Sequence, residues 1–359
     1  MYDPDKSVFI IAEAGVNHNG DPDLAMELID VAARSGADAV KFQTFDPSLL
    51  TTKTARKARY QQLASNEHES QQEMLSRLHF DHSIYYELRD RAEDREIMFM
   101  SSAFDAPSLE FLVSDLGLPV LKVASGELTN GPLLLEFARA GRSIVLSTGM
   151  STSNEVEVAL SILAFGLLGG QSYSPSALGE AFSSEVGKDI LRRKVALLHC
   201  TTEYPAQYCS ANLNAIDSLK QNFGLKVGYS DHTAGTMIAV AAVAKGARVI
   251  EKHLTLDKNL PGPDHQASLE SSEFQRMVED IRLIEEALGD GVKEPHESEL
   301  DNMRVARKSL VASRNITSGE MFTPENVAVK RPGTGRSPMD YWDIMGQKAT
   351  KDYVCDELL

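Results

Sequence analysis

Residues 8–42, VFIIAEAGVNHNGDPDLAMELIDVAARSGADAVKF, hold a short apolar run, an amphipathic stretch and a second apolar run in succession. Val8 to Ala12 reads as a strand. Asp21 can cap a helix whose first position is Pro22: its carboxylate accepts from backbone N–H groups that lack a partner inside the helix, and proline has no N–H to leave unpaired there. Leu24, Leu28 and Val31 then share one face, and Gly36 ends the helix before a strand at Ala39 to Phe42. The unit is β-α-β.

The same alternation recurs outward from it. Apolar runs stand at Ile97 to Met100, Val120 to Val123, Ser143 to Leu146, Lys194 to Leu198, Lys226 to Tyr229 and Arg248 to Glu251, with helical periodicity between them and a final helix at Ser272 to Leu288. Eight such units over about 285 residues predict an α/β fold, a (β/α)8 TIM barrel. Two insertions break the rhythm, residues 46–81 and 166–190, and both read as long loops, lids or mobile excursions. The barrel is expected over 1–288, followed by a polar linker at 289–302 (GDGVKEPHESELDN) and a small unit at 303–359. That unit has little apolar content, so it is expected to lean on the barrel or on a partner subunit.

Length and composition agree: 359 residues suit one large domain and one small, and 42% apolar with 25% charged residues is ordinary for a folded chain. The 36 Lys and Arg stand against 52 Asp and Glu, a net charge of −16. Such a chain has no general field for a nucleic-acid backbone or an anionic membrane, so an anionic substrate needs a local basic cluster. Cys200, Cys209 and Cys355 form no C-x-x-C pair, which argues against a disulfide framework or a structural zinc and for a reducing, cytoplasmic setting. The apolar stretch near the N-terminus is too short for a signal peptide, and no 18-residue apolar run occurs, so neither export nor a membrane span is expected.

Barrel enzymes carry their chemistry at the carboxyl ends of the strands. Those ends are densely polar here: Glu13 with Asn17-His18-Asn19-Gly20; Lys41 and Gln43; Ser101 and Ser102; Lys122, Ser125 and Glu127; Ser147 and Thr148; His199, Thr201 and Thr202; Ser230, Asp231 and His232; Glu251, Lys252 and His253, then Asp264 and His265. A single histidine after a strand is ordinarily a satisfied structural residue. His232 and His253, however, close consecutive strands, and two neutral imidazoles with a carboxylate and water suit Mn²⁺, Fe²⁺, Zn²⁺ or a similar ion. Lys41, Lys122 and Ser125-Gly126 form a cation-rich patch suited to phosphate or carboxylate, although either lysine alone could simply extend to solvent. Glu127, Glu13 and Asp264 are the candidate general acids or bases; each could equally be a solvated loop carboxylate.

Nine ordered strings, IAEAGVNHNG, AVKFQTF, KVASGE, LSTGM, LLHCTTEYP, GYSDHT, EKHLTLD, GPDH and VKRPG, closely resemble the phosphoenolpyruvate-dependent sialic acid synthases. The resemblance runs through the whole chain, and residues 303–359 resemble the antifreeze-like (SAF, β-clip type) domain of that family. It implies condensation of phosphoenolpyruvate with the open-chain aldehyde of an N-acylated mannosamine-type sugar, using Mn²⁺ or Mg²⁺. Matched motif to motif, it makes His232 and His253 the metal ligands. Lys41, Ser102, Lys122, Ser125, Thr202 and Ser230 would hold phosphoenolpyruvate, with Glu127 handling protons and Glu13, Gln43, Tyr204 and Asp264 gripping the sugar. Arg331 would reach the sugar's N-acyl group across a domain-swapped homodimer. Thr202 stands where some members carry Asn.

N-acetylmannosamine, giving N-acetylneuraminate, is the first expectation for the acceptor. The alternative is 2,4-diacetamido-2,4,6-trideoxymannose, giving N,N'-diacetyllegionaminate; a pseudaminate synthase comes after it. Residues near 57–62 and the 166–190 segment bear on that choice. A condensing enzyme for a phosphorylated aldose would lack the VKRPG-bearing unit and need a second basic cluster, and an ice- or carbohydrate-binding protein would lack the polar strand ends.

Overall fold

Eight parallel strands pair in chain order and close on themselves: β1 (Phe9–Gly15), β2 (Ala39–Thr44), β3 (Met98–Ala103), β4 (Val120–Val123), β5 (Ser143–Ser147), β6 (Val195–Cys200), β7 (Lys226–Asp231) and β8 (Val249–His253), with β8 pairing β1. The computed structural model describes residues 7–58, 61–62 and 69–359. The TIM barrel read from the sequence is present. Every strand but β4 runs further at its carboxyl end than the apolar run that marked it. The ladder is made by backbone groups, so it continues through Glu13, Gln43, Ser102, Ser230 and His253, whose polarity hides the strand from an apolar criterion.

Strand parity divides the barrel into two layers. Phe9, Ile11, Ala39, Met100, Val120, Val145, Leu198 and Val249 form one buried cluster, the barrel interior. Their neighbours Ile10, Val40, Phe99, Leu121, Ile144, Leu197, Tyr229 and Ile250 belong to the larger core shared with the helices. At Gly228 an added Cβ would lie 2.7 Å from Leu198 Cδ2, so the absent side chain makes room inside the barrel.

The first helix, Pro22–Arg34, starts as expected, with the Asp21 carboxylate accepting from Asp23 N and Leu24 N. The two insertions need correction. Residues 166–190 are mostly helical, in Pro175–Ser183 and Glu185–Lys194, whose caps Ser174 and Ser184 accept from Ala177 N and Gly187 N. The serines that read as loop residues are helix starts. Within 46–81 lie the helices Pro47–Leu50 and Gln71–Leu78, the second opened by a Ser70/Glu73 capping box. Of the 57–62 stretch, Arg59 and Tyr60 lie outside the described residues. The last barrel helix is Ser271–Leu288. Among the described residues no helix is long and apolar enough to cross a membrane.

The chain divides into two compact units, Met1–Gly289 and Asp290–Leu359. Residues 289–302, read as linker, thus fall almost wholly in the second unit, and the helix Leu300–Ala306 begins within them. In that unit β9 (Ser309–Ala312) pairs antiparallel with β10 (Val327–Lys330). Leu310, Ile316, Phe322, Val327, Ile344 and Tyr353 are buried together, so the unit has an apolar cluster of its own despite its thin composition.

Candidate active site

Parity places the chemistry. Counting inward-facing positions from the interior cluster, Ile11 leads to Glu13, Ala39 to Lys41 and Gln43, Met100 to Ser102, Val120 to Lys122, Val145 to Ser147, and Val249 to Glu251 and His253; Ser230 and His232 share the parity of Gly228. All of these line one cavity of about 330 Å³ in the first unit. Ser125, Thr202, Tyr204 and Asp264 line it from the loops. Twelve of the fourteen residues proposed for the site from the sequence therefore meet here, and two do not. Glu127 is not among the lining residues; its carboxylate is half-buried beside the cavity wall, accepting from Asn130 Nδ2 at 2.8 Å, and burial raises its pKa. Arg331 lies in the second unit, exposed, its Nε donating to the Ala306 carbonyl at 3.0 Å.

The two lysines are not a bare cation patch, which corrects the sequence reading. Lys41 Nζ is 2.5 Å from Glu13 Oε2 and 3.5 Å from Glu251 Oε2, and Lys122 Nζ is 3.7 Å from Glu251 Oε1. All four side chains are buried. Burial works to lower the pKa of Lys41, but the Glu13 and Glu251 carboxylates outweigh it and hold Lys41 above its ordinary value. Burial alone would raise Glu251; Lys122 and Lys41 overcome that and hold it at about 2. Burial pushes Glu13 up, against the pull of Lys41, and lowers Lys122. Glu251 is the main residue given no role in the sequence analysis. Its partners sit on β2 and β4, across the barrel, so only the closed ring reveals them; two-residue spacing from Val249 was the available signal.

Hydroxyl groups complete this half of the cavity. Ser102 Oγ accepts from Lys41 Nζ at 3.2 Å, and Ser230 Oγ donates to Glu251 Oε1 at 2.8 Å. Ser125 Oγ accepts from Gly149 N at 3.1 Å and lies 3.2 Å from Cys200 Sγ. A Cβ at Gly149 would come within 2.4 Å of Thr202 Oγ1 and 2.8 Å of Ser125 Oγ, so this glycine permits the two hydroxyls to converge.

The histidines separate cleanly by role. His18 stacks on Phe80 at 4.1 Å and accepts from Gly20 N through Nδ1; burial lowers its pKa to about 3. His199 points to the outer layer and bonds the Ala211 carbonyl, while His265 is held by Thr255 Oγ1 and Asn19 Oδ1. These three are structural. His232 and His253 face each other in the cavity, ring centroids 5.5 Å apart, with the Tyr204 ring 4.2 Å from His232.

Whether this pair fits a metal follows from its hydrogen bonds. His232 Nδ1 donates to the Thr201 carbonyl at 2.7 Å, leaving Nε2 as the lone-pair atom. Its neighbour Ser230 Oγ, at 3.3 Å, has already given its proton to Glu251. His253 Nδ1 is buried with no hydrogen-bond partner, 4.0 Å from Asp264 Oδ2. Burial holds both imidazoles neutral, His253 well below its ordinary value, and lifts Asp264 to about 7 with help from Glu13. Two neutral nitrogens, one with its tautomer fixed by a backbone carbonyl, suit a divalent ion whose remaining positions fall to water or substrate. Among the described residues no group of three or more His, Cys, Asp or Glu could hold one unaided.

The NeuB family model matches residues 28–293 and the SAF domain model residues 307–359. The chain is 46% identical to the N,N'-diacetyllegionaminic acid synthase of Campylobacter jejuni, covering 99% of both chains. It is 43% identical to the protein of the same name in Legionella pneumophila, over 95% of this chain and 90% of that one. Among solved structures, the N-acetylneuraminic acid (sialic acid) synthetase of Leptospira borgpetersenii in complex with citrate is 34% identical, with a TM-score of 0.67 over 83% of this chain and 90% of its own. The chain belongs to the NeuB family: it is a transferase-type condensing enzyme of the sialic acid (nonulosonate) synthases, with a SAF domain at residues 307–359.

Proposed function

We propose that the chain condenses phosphoenolpyruvate with 2,4-diacetamido-2,4,6-trideoxymannose to give N,N'-diacetyllegionaminate and phosphate. The observation that carries the chemistry is the single cavity joining Lys41, Lys122 and their hydroxyls to His232 and His253. The acceptor is supported by the 46% and 43% identity to the two legionaminic acid synthases. In the reaction C3 of phosphoenolpyruvate adds to the aldehyde carbon, water adds at C2, and phosphate leaves with the bridging oxygen. Lys41 and Lys122, with Ser102, Ser125, Thr202 and Ser230, bind and orient the phosphate and carboxylate. Glu13, Gln43, Tyr204 and Asp264 orient the sugar. His232 and His253 would hold Mn²⁺ or Mg²⁺, which would supply positive charge and Lewis-acid polarisation of the acceptor's carbonyl. Arg331 reaches the N-acyl group from the partner subunit of a homodimer.

N-acetylmannosamine is the second reading, favoured by the 34% identity to the Leptospira synthetase. Phosphate release with Mn²⁺, phosphoenolpyruvate and each acceptor in parallel, against a chelator control, decides between them. Preference for the diacetamido sugar is expected; preference for N-acetylmannosamine overturns the acceptor assignment.

A further inference from the structure

The cavity has a second face without charge. Met74, Leu75 and Leu78, at i, i+1 and i+4 of the helix Gln71–Leu78, line it together with Val16 and Phe104. Val16, Met74, Leu75 and Leu78 belong to one small buried cluster against which Phe104 packs. The loop after β1 fastens this face. Gly20 has φ +78°, and a Cβ there would meet the Arg77 carbonyl oxygen at 2.3 Å, so the backbone of Asn17-His18-Asn19-Gly20 abuts the helix end. His18 stacks on Phe80 just beyond it, and Glu69 pins Arg77 through two hydrogen bonds of 2.7 and 2.9 Å. The wall is thus built and held, by a loop motif to which the condensation chemistry gives no task.

We propose that this apolar wall seats the C6 methyl group of the acceptor, so that the enzyme selects a 6-deoxy sugar over its 6-hydroxy counterpart. The inference rests on the diacetamido-sugar reading above. A methyl against Val, Met and Leu side chains gains dispersion contact and gives up no hydrogen bond to water, whereas a hydroxyl there gives up its water without gaining a partner. Apolar pockets reject an added hydroxyl by a factor on the order of 10² at most.

The test compares kcat/KM for 2,4-diacetamido-2,4,6-trideoxymannose and 2,4-diacetamido-2,4-dideoxymannose. The native enzyme is expected to prefer the 6-deoxy sugar by about 10- to 100-fold. Leu75→Asn places an amide in the wall and is expected to cut that ratio at least about threefold; Val16→Thr, nearly isosteric, repeats the test where Leu75→Asn does not fold. Phosphoenolpyruvate affinity by calorimetry reports that the cavity is intact. A native ratio near one, or a ratio untouched by Val16→Thr, overturns the proposal. Equal turnover of both diacetamido sugars removes the wall's role and leaves the function standing. Turnover of N-acetylmannosamine alone removes both.

Discussion

Lys252→Met should be among the most damaging single substitutions outside the cavity lining. Lys252 and Asp231 are register partners on β8 and β7, facing the outer layer between Glu251 and His253 on one strand and Ser230 and His232 on the other. Their ion pair is 2.8 Å long with both side chains fully buried. Lys252 Nζ also donates to the Thr233 carbonyl at 2.6 Å, while Asp231 Oδ1 accepts from Thr233 N and Oγ1. Methionine fills similar volume but strands a buried carboxylate and an unpaired carbonyl, a cost of about 3–5 kcal/mol. At about 2–4 °C per kcal/mol for a chain of this order, Tm should fall by roughly 6–20 °C. Asp231→Asn with Lys252→Met removes both charges, and its loss should be smaller than the sum of the single losses by about 2 kcal/mol or more. Urea unfolding followed by circular dichroism, over the full double-mutant cycle, measures this coupling. Additive losses, or a Lys252→Met protein as stable as the native one, would show that the buried pair is not coupled.

Three further outcomes are expected. Gly149→Ala pushes Ser125 Oγ and Thr202 Oγ1 aside, so phosphoenolpyruvate affinity should fall by about 10-fold or more, the worth of a charge-assisted hydrogen bond, with acceptor KM little changed; unchanged affinity in isothermal titration excludes those hydroxyls from the anion site. Asp30 bonds Arg91 and Arg95 at 2.6 and 2.8 Å, and those two arginines hold its carboxyl below the ordinary range despite the opposing effect of burial. Because the folded value is depressed, its contribution is full above the unfolded value of about 3.9 and is lost as pH falls through the folded one; Asp30→Asn should therefore cost about 1 kcal/mol at neutral pH and nothing in strong acid, and a gap that stays constant from pH 7 to 3 in urea titrations contradicts this. Arg331→Ala should raise the acceptor KM or lower kcat while leaving phosphoenolpyruvate binding intact, and an unaltered acceptor dependence dismisses a role for that arginine.

The barrel was legible because each apolar run, although shorter than its strand, still marks the strand's position. The site was legible where chemistry sits at a strand end: Lys41, Ser102, Lys122, Ser230, His232 and His253 all project into the cavity. What stayed hidden depends on contacts between distant elements. Glu251 pairs across the barrel with Lys41 and Lys122, and no local pattern encodes that closure. The apolar wall comes from an insertion whose Lys, Arg, Gln and Glu content suggested only a loop, while four positions of one helix face, Gln71, Met74, Leu75 and Leu78, line the cavity. Residues 166–190 misled through composition: serines favoured in turns are equally favoured as helix caps. Glu127, assigned by motif resemblance, stands one residue past the cavity lining because Ser125 and Gly126 turn inward and its own side chain turns to Asn130.

In the proposed function Lys41 and Lys122 form the anion end of one condensation cavity. Calorimetric titration of phosphoenolpyruvate with Mn²⁺ present and no acceptor, into the native chain and into Lys122→Met, tests it most directly. Methionine preserves the side-chain volume and leaves Glu251 its contact with Lys41. Lys122→Met should lose affinity by about 10-fold or more, as expected for a buried charge-assisted contact. Equal affinity in the two proteins would contradict it.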